Sequence, residues 1–308
     1  MLVSIMIEGQ NGLNWPRWMR IVRAVEELGY YGLFRSDHFT NASPPDLDSL
    51  ELWVSLTWLA ANTHRITFGP LVTPFSFRHP IMTARMAAAV DDLSLGRLIL
   101  GLGAGWQERE HHNYGFDLLG TKDRFDRFEE GVEVITRFFH STEPVRFLGR
   151  FYRIEDAVLL PHPHHKGGPP ILIGGSGSRR TLPVAARYAS YWNGVFLTPQ
   201  RFAEVNKRLN EHLIQVGRHP SEVHRSLMTT CWIGKDDSRV AEKAARWKKT
   251  IPEMRSSGTI IGTPGEIVNQ LGVLAEAGVQ QVMLQWLDLD DLDGLELIGV
   301  QVLPQVRD

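Results

Sequence analysis

One cysteine, Cys231, stands in 308 residues, which excludes an intrachain disulfide and any CxxC metal or redox motif. Such a residue reads as a small buried hydrophobe. No run of about 18 apolar residues occurs, so no membrane-spanning helix is expected. The N-terminal MLVSIMIEGQ lacks a basic region followed by an apolar stretch and a small-residue cleavage site, and a cytoplasmic location is expected. Charge of one sign is missing too: 33 Lys plus Arg against 35 Asp plus Glu give a net charge of −2. That balance offers no basic surface for a phosphate backbone, so nucleic acid is not an expected partner. What remains is ordinary globular composition, 43% hydrophobic, at a length that admits two domains or one α/β barrel with insertions.

Short apolar runs alternate with longer segments of helical period from end to end, the pattern of repeated βα units around a parallel sheet. Eight such runs are present: Val3–Glu8, Gly32–Ser36, Ile66–Val72, Arg97–Leu102, Ile171–Gly174, Trp192–Phe196, Leu227–Ile233 and Gln281–Trp286. Each is apolar enough to be buried on both faces. Eight strands predict a closed (β/α)8 TIM barrel, one domain over residues 1–308. About 250 residues make a typical barrel. The excess falls after strands 4 and 7, in insertions at about 140–168 and 235–262. The first holds a hairpin around Gly149 in FLGRFYRI, and the second a charged helix with a polar loop.

The helices carry their own signals. Trp15, Trp18, Ile21, Val22, Val25 and Leu28 recur at spacings of three and four, with Gly29 as a left-handed stop. Thr263-Pro264-Gly265-Glu266 reads as a capping box, Ile267, Leu271 and Leu274 mark one face behind it, and Gly278 ends that helix. Pro183 requires the helix after Gly177 to begin late or to kink.

In a parallel barrel the chemistry sits at the C-terminal strand ends. The second strand delivers Ser36-Asp37-His38-Phe39, where an imidazole can move a proton and a neighbouring carboxylate can orient it; a surface turn capped by Asp37 is the bland reading. The third, FGPLVTP, is broken by glycine and two prolines and predicts a bulge or bend. The fourth ends in Gly101-Leu102-Gly103-Ala104-Gly105-Trp106, whose glycines permit close approach to a planar ligand; Trp106 in place of a final glycine argues against a dinucleotide GxGxxG reading. The fifth ends in Gly174-Gly175-Ser176-Gly177-Ser178-Arg179-Arg180, an anion site at a helix N-terminus or a tight turn with two solvated arginines. Glu8, Asn113, Tyr114, Asn193 and Trp286 are further candidates for the cleft. His111, His112, His162, His164 and His165 suggest a metal, but no carboxylate falls at HExxH spacing, so no metal is expected.

Five blocks in order, Leu28–Phe39, Ile66–Pro80, Leu93–Gly115, Ile171–Gly194 and Ile261–Leu284, resemble the bacterial luciferase-like superfamily of flavin and deazaflavin oxidoreductases. The wording SDHF, VTPFSFRHP and GAGWQERE is similar to members that use the deazaflavin coenzyme F420. The resemblance implies a TIM barrel, a homodimer and a small-molecule substrate. It also implies a cofactor contacted by Asp37, Leu71, Val72, Gly103, Ala104, Gly105, Gly174, Gly175, Ser176, Gly177 and Arg179, with a non-proline cis peptide at Leu71–Val72. His38 is then the proton donor or acceptor in hydride transfer and Asp37 its orienting partner. The family's deazaflavin sugar-phosphate dehydrogenases carry an acidic residue where this chain has Trp106, so that activity is not carried over; Glu108 is the nearby carboxylate candidate. An FMN-dependent monooxygenase, with Arg179 and Arg180 clamping a terminal phosphate, is the alternative, and a non-catalytic flavin-binding protein a third.

Overall fold

The computed structural model describes residues 1–306. The chain runs β1 (Leu2–Ile7), α1 (Trp15–Glu27), β2 (Gly32–Arg35), α2 (Leu52–Asn62), β3 (Thr67–Pro70), β4 (Thr73–Pro74) and α3 (Pro80–Leu93). There follow β5 (Leu100–Gly103), α4 (Glu108–Tyr114), α5 (Thr121–His140), and a hairpin of β6 (Val145–Leu148) and β7 (Arg153–Ala157). Next come β8 (Ile171–Gly174), α6 (Thr181–Tyr188), β9 (Tyr191–Val195), α7 (Pro199–Gln215) and β10 (His224–Ile233). The last third holds α8 (Asp237–Ala245), α9 (Ile251–Ser256), β11 (Ile260–Gly262), α10 (Pro264–Glu276), β12 (Gln281–Trp286), α11 (Leu292–Leu297) and α12 (Leu303–Val306).

The strands pair in the order β3-β2-β1-β12-β10-β9-β8-β5-β4, every pair parallel. Because β3 and β4 are successive pieces of one stave, the two ends of this path meet. Phe68 N–H donates to Arg97 O at 3.1 Å and Ile99 N–H to Phe68 O at 2.8 Å across the seam. The result is the expected α/β TIM barrel.

Alternation along the strands sorts the side chains. Val3, Ile5, Ile7 and Leu33 face outward into the main core under the helices. Met6, Phe34, Leu71, Ile99, Leu172, Met228 and Met283 fill the barrel interior. The same period of two carries Glu8 beyond Met6, and Ser36 and His38 beyond Phe34, onto the interior's open end.

The helix signals hold. In α1, Trp18, Ile21, Val22 and Val25 are buried, the Asn14 side chain accepts from Arg17 N–H at 3.2 Å, and Gly29 has φ +82°. At α10, Thr263 N–H donates to Glu266 Oε2 at 2.9 Å, and Ile267, Leu271 and Leu274 are buried. The helix after the glycine turn starts late, at Thr181, which leaves Pro183 in its first turn. Cys231 is buried.

The irregularity expected in the third run is present, and one loop expectation is revised. The third run is not one strand through Val72: it stops at Pro70, the Leu71–Val72 peptide is cis, and pairing resumes at Thr73. Pro70 and Pro74 have no N–H to give a continuous ladder. The polar loop expected before the capping box contains β11, whose Ile260–Gly262 pairs in parallel with Cys231–Ile233; three residues are too few to carry a periodic signal.

The glycines beside the interruption are fixed by crowding. A Cβ on Gly69 would lie 1.9 Å from the Ile99 carbonyl oxygen, and one on Gly101 2.0 Å from that of Pro70. Both obstacles are backbone. Gly101→Ala is therefore expected to cost about 3 kcal/mol or more, the upper range for overpacking. Gly272→Ala, in α10 with nothing within 4 Å of the new methyl, should instead stabilise by about 0.5–1 kcal/mol. Urea unfolding midpoints of the two variants check both signs.

Candidate active site

The interior opens at the C-terminal strand ends into a cleft of about 470 Å³. Each stave contributes what its end can reach: Glu8 and Gln10 from β1, Ser36 and His38 from β2, Leu71, Val72 and Pro74 from the interrupted stave, and Gly103 to Trp106 from β5. Gly174 and Gly175 enter from β8, Asn193, Val195 and Phe196 from β9, and Met228 from β10. Phe125 and Phe128 of α5 close one side.

Of the residues expected at the site, His38, Leu71, Val72, Gly103, Ala104, Gly105, Gly174 and Gly175 come together in this lining, as do Glu8 and Asn193. Asn113, Tyr114 and Trp286 do not line it. Neither do Ser176, Gly177 and Arg179, which stand exposed beside it at the start of α6. The role given to Asp37 needs correction. Its carboxylate is buried on the far side of β2, ion-paired with Arg78 and accepting from Thr73 Oγ1 at 2.6 Å. It holds no ring nitrogen of His38.

That nitrogen belongs to Glu110. His38 Nδ1 lies 2.7 Å from Glu110 Oε1, and Glu110 Oε2 accepts from Phe39 N–H at 3.1 Å. Glu110 is 1% exposed, and the His38 side chain 18%. Burial is the largest single influence on the imidazole and pulls its pKa down. The hydrogen bond and charge of Glu110, with Glu8 and Asp37 behind, outweigh it, so the His38 pKa is raised above its ordinary value. Glu108, the carboxylate expected to stand in for the acid missing at Trp106, is exposed and outside the cleft. Sequence reasoning missed Glu110. The signal was there, since Gln107, Glu110 and His111 share the buried face of α4 at helical spacing while Glu108 and His112 face solvent. Trp106, at 61% exposed, stands edge-on to the His38 ring at 5.5 Å between centroids.

The two glycine motifs divide by cause. In the β5 run, a Cβ on Gly103 would meet Val72 Cγ2 at 2.4 Å, so packing against the interrupted stave requires glycine there, whatever ligand approaches. Gly175 has φ +110°, a conformation only glycine adopts readily. Its carbonyl accepts from Trp192 Nε1 at 2.8 Å. Among the described residues, no protein acceptor takes the N–H groups of Ser176 to Arg180. The two arginines are not equivalent: Arg180 is ion-paired with Asp126, whereas Arg179 has no ion pair among the described residues.

A planar tricyclic cofactor fits these residues. Leu71, Val72, Val195 and Met228 give an apolar platform, free amides wait at the glycine turn, and the Asn193 side-chain oxygen is buried in the lining without a hydrogen-bond partner. An unpaired buried acceptor of this kind is costly unless a ligand donor satisfies it. No group of three or more His, Cys, Asp or Glu side chains converges for a metal among the described residues. No described helix is long and apolar enough to cross a membrane.

Barrel, apolar platform and the buried His38–Glu110 pair together mark an oxidoreductase that takes a flavin or deazaflavin. Residues 3–256 match the family model described as luciferase-like monooxygenase, and the chain belongs to that family. It is 26% identical to the F420-dependent hydroxymycolic acid dehydrogenase of Mycobacterium tuberculosis, over 92% of this chain and 83% of the relative. It is 28% identical to the pyrimidine monooxygenase RutA of Stutzerimonas stutzeri, over 84% and 79%. Its fold is that of an F420-dependent secondary alcohol dehydrogenase solved with an F420-acetone adduct, at TM-score 0.87 and 18% identity, covering 100% of this chain and 99% of the other. The oxygenating constituent of 3,6-diketocamphane monooxygenase of Pseudomonas putida, solved with FMN, superposes at TM-score 0.79 and 17% identity over 99% of each chain.

Glu110→Gln removes the charge that raises the His38 pKa, so the imidazole is expected to titrate at lower pH, read by NMR. A raised folded-state pKa means that the protonated pair contributes stability fully present below about pH 6.5 and lost as pH rises through the folded value. The variant should therefore lose more stability at pH 6 than at pH 9. Equal losses at the two pH values would contradict the assignment.

Proposed function

We propose that the protein is an F420-dependent oxidoreductase that moves a hydride between the deazaflavin and a small organic substrate, with His38 as the proton donor and acceptor. The observation that carries this reading is the buried Glu110 bound to His38 at 2.7 Å on the lip of an apolar cleft. With Nδ1–H committed to the carboxylate, the neutral imidazole presents the Nε2 lone pair to the cleft. When bound, the deazaflavin supplies a ring carbon that accepts or returns a hydride. In alcohol oxidation the carbinol C–H bond breaks with its electron pair, the hydroxyl proton passes to His38 Nε2, and a carbonyl forms. Glu110 stabilises the resulting imidazolium. Leu71, Val72, Val195 and Met228 hold water away from the reacting carbon.

The glycine turn supports F420 over FMN. A terminal phosphate favours a concentrated cationic clamp, and Arg180 is turned away to Asp126, which it shares with Lys122. The internal phosphodiester of F420 needs only amides and one cation. The presence of a second arginine, Arg180, beside Arg179 at the turn is the observation that favours an FMN-dependent monooxygenase as the second reading.

Binding of F420 and FMN to the purified protein, measured side by side, separates the two. F420 is expected to bind the more tightly, and tight FMN binding with no F420 binding would overturn the proposal. His38→Ala is expected to keep its affinity for F420 and to lose about 10²–10⁴-fold in turnover, the usual share of a general acid or base. Unchanged turnover with cofactor bound would remove His38 from the chemistry.

A further inference from the structure

Apart from His38, which is taken up by Glu110, the ionisable groups in the cleft are acidic. Its lining contains Glu8, Glu110 and His38, and neither lysine nor arginine. Glu110 is committed to His38 and to Phe39 N–H. Glu8 is held by neutral amides only: Gln285 Nε2 donates to its Oε1 at 2.6 Å and Gln10 Nε2 to its Oε2 at 3.0 Å.

Both amides are anchored from behind. Thr230 Oγ1 donates to Gln285 Oε1 at 2.7 Å, Ser36 Oγ donates to Gln10 Oε1 at 2.8 Å, and Gly9 N–H donates to Ser36 Oγ at 2.9 Å. Four side chains and one backbone N–H, from β1, β2, β10 and β12, thus fix one carboxylate in place without neutralising it. The nearest cations are spent elsewhere. Arg35 feels the Glu8 charge, but its guanidinium bonds Ser55 Oγ and the Leu50 carbonyl behind β2. Arg78 is taken by Asp37 and Glu51.

A carboxylate has about four acceptor positions, and the amides use two. The remainder are left for a ligand donor. Hydrogen-bond donors and cations are favoured beside such a group, and a phosphate or carboxylate brought next to it meets like charge in a poorly solvated cleft.

We infer that Glu8 is the specificity-determining residue of this cleft: it accepts a hydrogen bond from a hydroxyl or ammonium group on an otherwise apolar substrate and excludes anionic substrates. This deepens the oxidoreductase reading and rests on it only for the word substrate, because the selectivity is a property of binding. Glu8 itself forms and breaks no bond.

The test compares hexylammonium, hexanol and hexanoate, matched in apolar body and differing in head-group charge. Binding to the full-length protein is followed by its intrinsic fluorescence, since Trp106 stands on the cleft lip. Hexylammonium is expected to bind about tenfold or more tightly than hexanoate, with hexanol between, the ratio a single unpaired charge commonly commands. Glu8→Gln keeps the shape of the side chain and removes its charge. A thermal melt establishes that it folds, and its amine-to-carboxylate ratio is expected to fall below about threefold. Equal binding of the three ligands by the wild type, no measurable binding of any, or an unchanged ratio in Glu8→Gln would overturn the inference. Because no cofactor is added, absence of F420 turnover would count against the oxidoreductase reading and leave the charge ratio standing.

Discussion

The contact between Glu110 and His38 organises the upper half of the molecule. A carboxylate at 1% exposure is tolerable only with partners that satisfy both oxygens, and here they come from the end of β2 as His38 Nδ1 and Phe39 N–H. The pair therefore fixes α4, the helix after β5, against the end of β2, across the mouth of the barrel. It also occupies Nδ1 and leaves Nε2 as the ring nitrogen without a protein partner among the described residues. The aromatic residues around it, Trp106 on His38 and Phe77, Tyr114 and Phe116 on Phe39, exclude water from a charge that water would otherwise weaken.

A second constraint is crowding at the interrupted stave. The chain leaves regular pairing at Leu71–Val72, and the Ile99 and Pro70 carbonyls close on Gly69 and Gly101, as the Val72 side chain does on Gly103, so tightly that a side chain at any of the three must displace a neighbour. This crowding pushes the Leu71 and Val72 side chains into the barrel interior as one wall of the cleft. Apolar platform and glycine run are thus two sides of one packing solution. The glycine turn after β8 has another origin, a backbone at positive φ whose amides remain available.

Most of the architecture was legible in the sequence because a buried parallel strand writes itself as a continuous apolar run. All eight staves and the late start of the helix at Pro183 follow from local rules. The three-residue β11 was not legible, since its pairing with β10 is tertiary. The site was legible by element but not by partner. Strand ends located His38, Val72 and Gly175, yet adjacency in sequence misled at Asp37: consecutive residues at the end of a strand point to opposite faces, so Asp37 turns to Arg78 while His38 turns to the cleft. Glu110 lies 72 residues away in sequence, and its inward direction depends on helical phase in a seven-residue helix.

The proposed chemistry requires His38 to exchange a proton while held by Glu110. The most direct measurement is the pH dependence of the single-turnover rate of F420 reduction in the alcohol-oxidation direction. In the proposed reaction His38 is neutral when it accepts the hydroxyl proton, so the rate should rise with pH through an apparent pKa above the ordinary histidine value of about 6.5. A rate that is flat with pH, or that titrates below that value, would contradict the account.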